Sequence, residues 1–243
     1  MFRIRMVTFD VTGTLLQFRN PVYEIYAQAG QRHGIDADPA VIKKNFREQY
    51  AKMSVAHPNF GRDTGLGWAQ WWKNIVIESF KDYSRSKEDA YNISRTADFL
   101  LTYFQTPEPW TTQPGAHQLL TFLKRSYYKV GVLSNFDPRL FTILKCLDLE
   151  SYFDFILTSY DCGHQKPTAA IFNEALKLGK NIDKSEALHI GNDVRKDYMA
   201  AKDAGWNGIL LLPERESINQ KLVNKDDVFT SLTEVKSHFQ ASV

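Results

Sequence analysis

The stretch Arg3–Leu16, RIRMVTFDVTGTLL, constrains this chain more than any other. Arg3–Phe9 reads as a buried strand, because Ile4, Met6, Val7 and Phe9 supply its apolar surface. Asp10 stands at its end, where ligand sites of parallel α/β sheets lie. Gly13 then permits a tight turn, and Thr14 offers a hydroxyl there. A carboxylate so placed either caps the turn or attacks an electrophile.

The second half of the chain shows what kind of sheet this strand joins. Beyond Pro107 apolar strands alternate with helices. Pro114-Gly115 opens the helix GAHQLLTFLKRSYY, and KVGVLSN follows as a strand ending at Ser134-Asn135. A helix over about 138–147, a strand at 153–159, a helix at 168–178, EALHIG at 186–191 and GILLL at 208–212 continue the pattern, which closes on a polar helical tail. Such alternation implies an α/β fold, a doubly wound parallel sheet of the Rossmann-like kind covered on both faces.

Between the first strand and this run, residues 18–104 carry helical patterns and no strand signal. Gly34 stops one helix and Asp38-Pro39 starts the next. Trp68, Trp71, Trp72, Ile75 and Val76 recur at i, i+3, i+4, i+7 and i+8, a stripe read as packing rather than as a ligand box. The expected organisation is a core of residues 1–17 and 105–243, with 18–104 inserted as an all-helical domain. Short linkers near 17–20 and 104–110 would act as hinges.

Composition excludes several classes of function. With 243 residues, 43% apolar and 24% charged, the chain reads as an ordinary soluble globular protein. A net charge of +2 gives no argument for nucleic acid. Lys124-Arg125 and Lys129 form the notable basic cluster, read as a solvated helix end where cations suit the dipole. Cys146 and Cys162 stand apart, without the spacing of a zinc site or a disulfide scaffold, and fit a reducing compartment. No apolar run reaches about 18 residues, so no membrane partner is expected. The first strand begins at once, leaving no room for a targeting peptide, and the expected location is the cytoplasm, with nuclear entry left open.

Parallel strands place their C-terminal ends on one side, so four polar segments can converge there: Asp10 to Thr14, Ser134-Asn135, Lys166, and Asn192-Asp193 with Asp197. Read singly, Ser134-Asn135 is a turn, Lys166 a loop lysine and Asp193 a helix cap. Read together, they suit an anionic substrate held with a divalent metal. Carboxylates and a backbone carbonyl supply oxygen ligands for magnesium, and the lysine neutralises a transferring phosphoryl group.

The sequence resembles the haloacid dehalogenase-like hydrolase superfamily over essentially its whole length. DVTGT at 10–14 is similar to the first motif, LSN at 133–135 to the second, Lys166-Pro167 to the third and GNDVRKD at 191–197 to the fourth. The helical insertion lies where the family's helical-cap members carry theirs. The resemblance implies that Asp10 is the nucleophile and that Ser134 and Lys166 bind the phosphoryl group of a small phosphorylated substrate, with Thr14 and Asn135 beside them. It also implies that Mg2+ is held by Asp10, the Thr12 carbonyl and the side chains of Asn192, Asp193 and Asp197. In capped members the insertion contributes specificity, which makes His33, His57, Asn59, Arg62 and Trp68 candidates.

Two positions depart from the family pattern. Most family phosphatases carry an aspartate two residues after the nucleophile, as general acid and then base; here Thr12 stands there, and its hydroxyl has no useful pKa near neutrality. Asn192 occupies a place where the fourth motif often has Asp, and Asp193 is expected to be the acidic ligand instead, with Asn192 and Asp197 as ligands or their support. The expected function is a slow Mg2+-dependent phosphatase. The alternatives are a catalytically weak binding or regulatory protein and a dehalogenase, against which an acidic cluster beside the nucleophile counts. The oligomeric state is open.

Overall fold

The computed structural model describes residues 4–213 and 222–241. The Arg3 start of the expected first strand, and part of the expected tail, lie outside them. In chain order come strand β1 (Met6–Phe9), β2 (Leu16–Phe18), helices α1 (Val22–Arg32), α2 (Pro39–Ala56), α3 (Trp68–Ser79) and α4 (Lys87–Tyr103), then β3 (Trp110–Thr112). There follow α5 (Ala116–Arg125), β4 (Lys129–Ser134), α6 (Arg139–Cys146), β5 (Phe155–Thr158), the single turn α7 (Ser159–Cys162), α8 (Ala169–Gly179) and β6 (Ala187–Gly191). The chain ends through α9 (Ala200–Asp203), β7 (Asn207–Leu211), β8 (Val228–Phe229) and α10 (Leu232–Ala241).

Six strands form one parallel sheet in the order β5–β4–β1–β6–β7–β8. The first strand in sequence is thus central, paired with β4 from Met6↔Lys129 to Phe9↔Val132 and with β6 from Met6↔Ala187 to Phe9↔Ile190. All four residues of β1 are buried, as a strand covered on both faces requires. One core cluster joins Met6, Leu133 and Leu157 of the sheet to Ile171, Phe172 and Ala175 of α8 and to Ala200 and Ala201 of α9. Helices α5 and α10 pack together, Tyr128 meeting Phe239 edge-on at 5.4 Å.

The chain divides into two compact units, Met1–Gln17 with Thr112–Val243, and Phe18–Thr111. The second crossing falls at Thr111, seven residues beyond the expected 104/105 boundary, and the reason is aromatic. The Trp110 ring lies 4.3 Å from that of Phe18, and its Nε1 donates to the Phe104 carbonyl at 3.0 Å. Arg19 N also donates to Pro109 O at 2.9 Å. The two crossings run through β2 and β3, which pair with each other.

Within the helical unit the sequence signals act locally as expected. The Asp38 side chain caps α2 by accepting from Ala40 N at 2.8 Å, with Pro39 at the first helical position, and Ser86 caps α4 through Asp89 N at 3.0 Å. Trp71, Ile75 and Val76 turn the α3 stripe inward, and Trp71 Nε1 donates to the His57 carbonyl at 2.9 Å. The stripe is packing. No described helix is long and apolar enough to cross a membrane.

Candidate active site

The site builds outward from the end of β1. Asp10 N donates to Ile190 O at 2.9 Å, which ties it to β6. The chain then turns tightly, the Val11 carbonyl accepting from Thr14, Leu15 and Leu16 N. Gly13 has φ +86°, and a Cβ there would collide with the Asn192 side chain. Glycine therefore serves twice: it takes the left-handed conformation, and it lets Asn192 rest against the turn.

One strand end and one loop bring their groups directly to Asp10. Ser134, the last residue of β4, donates from Oγ to Asp10 Oδ1 at 3.0 Å. Lys166, from the loop between α7 and α8, donates from Nζ to the same oxygen at 2.8 Å. Asp10 Oδ2 makes no hydrogen bond among the described residues. Lys166 Nζ also donates to Asp197 Oδ1 at 2.5 Å, inside a pair whose side chains are 1% and 2% exposed. Gly191 makes this possible, since any Cβ there would overlap the Asp197 carboxyl.

A widened helical turn, Val194–Met199, delivers Asp197. Its opening bonds run to Asp193 O from both Asp197 N (3.0 Å) and Tyr198 N (3.2 Å), the second spanning five residues. Such bulges recur at functional sites. Asp197 Oδ2 accepts in return from Asp193 N at 2.9 Å.

Asp193 itself is used differently from the sequence expectation. Its Oδ1 caps that turn, accepting from Arg195 N at 2.9 Å and Lys196 N at 2.8 Å, and its side chain is 43% exposed. Asn192 is the residue held against the nucleophile's turn, with Thr14 Oγ1 donating to its Oδ1 at 3.5 Å. Thr14 is fully buried. Asn135 spends its amide on the lysine backbone: Nδ2 donates to Lys166 O at 2.8 Å, and Oδ1 accepts from Lys166 N at 2.7 Å. Both polar atoms of the amide thus hold the lysine backbone, and Nδ2 keeps a second N–H. The Thr12 side chain is exposed.

The sequence reading passed over His189, a lone histidine in an apolar strand. It is fully buried on β6 beneath the lysine. Its Nε2 lies 3.3 Å from Asp197 Oδ1 and 3.5 Å from Lys166 Nζ, its Nδ1 lies 2.9 Å from the Thr8 hydroxyl, and Phe172 meets the ring edge-on. Only its alignment with Thr8 across β1 and β6 could have singled it out.

Burial and charge set the protonation states. Burial pushes the Asp10 carboxyl above the usual range, opposed by Lys166 and reinforced by Asp197. Burial likewise penalises the Lys166 ammonium, but Asp10 and Asp197 more than compensate and hold its pKa above the usual value. Burial raises Asp197 too, yet Lys166 and His189 outweigh it and keep the carboxylate ionised well below its usual range. Burial and the adjacent Lys166 push His189 down, which keeps it neutral at pH 7.

Among the described residues no group of three or more histidine, cysteine, aspartate or glutamate side chains is arranged to hold a metal ion. Asp197 is committed to Lys166 and Asp193 to its cap. Asp10, the Thr12 carbonyl and Asn192 Oδ1 remain as donors on or against one turn. These are all hard oxygens, and they fit a magnesium ion of the kind held by one carboxylate together with a substrate phosphate.

The candidate specificity residues lie in the helical unit. His33 Nδ1 is 3.0 Å from Ala29 O, His57 Nδ1 is 2.8 Å from Thr64 Oγ1, Asn59 is buried, Arg62 pairs with Asp63 at 3.4 Å, and Trp68 starts α3.

The family model for haloacid dehalogenase-like hydrolases matches residues 4–205. Human haloacid dehalogenase-like hydrolase domain-containing protein 3 is 33% identical over 95% of this chain and 91% of its own. Two solved structures share the fold. A 2-haloacid dehalogenase from Pseudomonas syringae pv. Tomato DC3000 matches with a TM-score of 0.68 and 20% identity, over 99% of this chain and 100% of its own. A HAD phosphatase from Thermococcus onnurineus matches with a TM-score of 0.66 and 19% identity, over 97% and 98%.

Proposed function

The chain belongs to the haloacid dehalogenase-like hydrolases, and from that premise we propose that it is a slow phosphatase working through an aspartyl phosphate on Asp10. The observation that carries this reading is the asymmetry of the Asp10 carboxylate. Ser134 and Lys166 both hold Oδ1, which leaves Oδ2 as the attacking atom. Oδ2 forms a bond to phosphorus as the bond from phosphorus to the leaving oxygen breaks. Water then attacks the phosphorus of the acyl phosphate and returns Asp10 and inorganic phosphate. The Lys166 ammonium, kept protonated by two carboxylates, neutralises charge on the phosphoryl oxygens.

Mg2+ fits Asp10, the Thr12 carbonyl and Asn192, where it would offset phosphoryl charge. With a single carboxylate it would bind weakly until the substrate phosphate joins it. Thr12 provides neither a proton for the leaving group nor a base for water, so turnover is slow and favours leaving groups that need no protonation. The substrate class is a small phosphorylated metabolite. Cys146 and Cys162 form no disulfide, which accords with a reducing, cytoplasmic setting.

Release of phosphate from aryl and alkyl phosphates, with and without Mg2+, tests this reading in wild type beside Asp10→Asn. Hydrolysis of the aryl ester that needs both Mg2+ and Asp10 is the expected result. Equal rates in wild type and Asp10→Asn would overturn it.

One observation favours a second reading. The acidic cluster that counts against a dehalogenase is largely neutralised, since Asp193 turns away and Asp197 is paired with Lys166. Asp10 could then attack carbon and expel halide without metal. Halide release from 2-haloacids in EDTA, absent in Asp10→Asn, separates the two.

A further inference from the structure

A cleft of about 560 Å³ opens at the end of the sheet opposite Asp10. Its walls come from the N-terminal ends of the strands: Arg5 precedes β1, Lys129 begins β4 and Asp154 precedes β5. Lys124 and Tyr127 enter from the end of α5, and Lys180 from the end of α8. The size suits a small-molecule ligand.

The charge of this cleft is one-sided, with four cations against one carboxylate. Asp154 is already used by Lys124 Nζ at 3.0 Å and by Val130 N at 2.8 Å, and Arg5 is paired with Glu186 at 3.0 Å. Lys129 and Lys180 make no ion pair among the described residues. Two lysines without an ion pair among the described residues thus line one concavity, which concentrates positive potential. A solvated helix end accounts for Lys124 alone, not for lysines brought there from β4 and α8.

The rim carries backbone conformations that suit glycine but are held by other residues. Of six non-glycine residues at positive φ among the described residues, Tyr127 (61°) and Lys180 (57°) line the cleft, and Asn181 (53°) adjoins it, its carbonyl accepting from Arg5 at 2.9 Å. Tyr127 stands just past the end of α5, where Tyr127 N donates to Lys124 O and Tyr128 N to Leu123 O, a closure that normally selects glycine. A tyrosine there bears a backbone cost glycine avoids, and at 95% exposure its ring recovers almost nothing by burial. Held by this closure at the rim, the exposed Tyr127 ring offers a flat stacking face to whatever enters the cleft.

We infer that this cleft binds a nucleoside di- or triphosphate, its phosphates between Lys129 and Lys180 and its base stacked on Tyr127. The inference does not rest on the phosphatase reading, and binding tests it without turnover.

Isothermal titration with ADP, adenosine and pyrophosphate, all in EDTA, is the experiment. ADP is expected to bind at least about tenfold more tightly than either fragment. The double variant Lys129→Gln/Lys180→Gln should weaken ADP and pyrophosphate about tenfold or more, by loss of charge-assisted contacts. Tyr127→Gly should weaken ADP about threefold or more and leave pyrophosphate unchanged. Since glycine suits this φ, Tm should hold or rise, so a folding defect cannot produce that pattern. Asp10→Asn and Ser134→Ala, altered at the other end of the sheet, should retain wild-type ADP affinity. No ADP binding in wild type, indifference to the lysine pair, indifference to Tyr127→Gly, or loss in Ser134→Ala would each overturn the inference.

Discussion

The two units of this chain bury different kinds of polar group. In the sheet unit, Lys166, His189, Asp197, Asp137 and Arg139 are all buried. In the helical unit the buried polar side chains among the described residues are neutral: Asn45, Asn59, Ser79 and Thr96. The helical unit is held by aromatic contacts, Trp71 against Trp72 at 4.9 Å and Phe60 at 5.3 Å, and Phe18 against Trp110 at 4.3 Å. Burying ions is expensive unless each is paired and hydrogen-bonded. A fold that needed only stability would make the aromatic choice throughout. The Lys166–Asp197–Asp10 chain holds an ammonium in its charged state within reach of a carboxylate whose second oxygen makes no hydrogen bond among the described residues. The Asp137–Arg139 fork, at 2.8 and 2.7 Å, braces the loop that follows Ser134.

The sharpest way to break this comparison is Asp10→Asn. On the proposed reading it removes the nucleophile, and it replaces a largely buried carboxylate by a neutral amide. Hydrolysis should fall to the uncatalysed background while Tm stays at or above the wild-type value. A large drop in Tm would mean that Asp10 is structural and that the sheet unit's charges hold the fold.

Two substitutions of similar cost should then differ in their response to pH. Trp71→Ala empties a fully packed site and should destabilise by about 3–5 kcal/mol at any pH where the protein folds. Lys166→Met leaves two carboxylates buried without a cation and should also cost about 3–5 kcal/mol at pH 7. In the wild type, Asp197 ionises well below its ordinary 3.8, so its contribution is present above that value and lost as pH falls through the lower, folded one. Lys166 ionises above its ordinary 10.5, so its contribution is present below that value and lost as pH rises through the higher, folded one. Without the lysine both carboxylates move upward and protonate on folding. The deficit of Lys166→Met should therefore shrink as pH drops toward 4, and that of Trp71→Ala should not. Denaturant titrations at pH 7 and near pH 4 decide it; parallel deficits would remove the electrostatic account.

What could be read in the sequence follows the same division. The central strands were legible because burial on both faces leaves continuous apolar runs, and Asp10, Ser134 and Lys166 were legible because they end strands or border the loops between them. β2, β3 and β8 were not, since two or three residues carry no period. The Thr111 boundary depends on Trp110 meeting Phe18 across about ninety residues of chain, which no local pattern records. His189 reads as core until Thr8 and Asp197 are placed beside it. Which of Asn192 and Asp193 faces the nucleophile depends on where the widened turn begins. That is a matter of one residue of register, and composition leaves it undetermined.

A smaller effect, and of opposite sign, is expected from Thr12→Asp. The substitution supplies a carboxyl two residues from the nucleophile, on an exposed side chain with room to change rotamer. Turnover of a substrate with a poor leaving group should rise about tenfold to a hundredfold, within the range of general acid–base catalysis, and Asp10→Asn should abolish the gain. An aryl phosphate should gain less in its first step, since its leaving group needs little protonation, and the same in the breakdown of the acyl phosphate. Unchanged rates on both substrates would show that another group already does this work.

The smallest expected effect separates two neighbours. Asp193→Ala removes an oxygen that accepts from Arg195 N and Lys196 N, so it should cost about 1 kcal/mol, the usual value of a helix cap. The Asp193 backbone N–H that holds Asp197 survives the change, so the lysine pair stays in place. The rise in Tm on adding Mg2+ should accordingly match that of wild type. Asn192→Asp acts in the other direction. It sets a second carboxylate against the turn that carries Asp10, which lowers Tm without metal through like-charge repulsion. Mg2+ relieves that repulsion, so the metal-dependent rise should exceed that of wild type and begin at lower concentration. If Asp193→Ala instead erased the Mg2+ response and Asn192→Asp left it unchanged, the turn at 193–197 would have to rearrange when metal binds. The cap bonds would then be a feature of the metal-free protein alone.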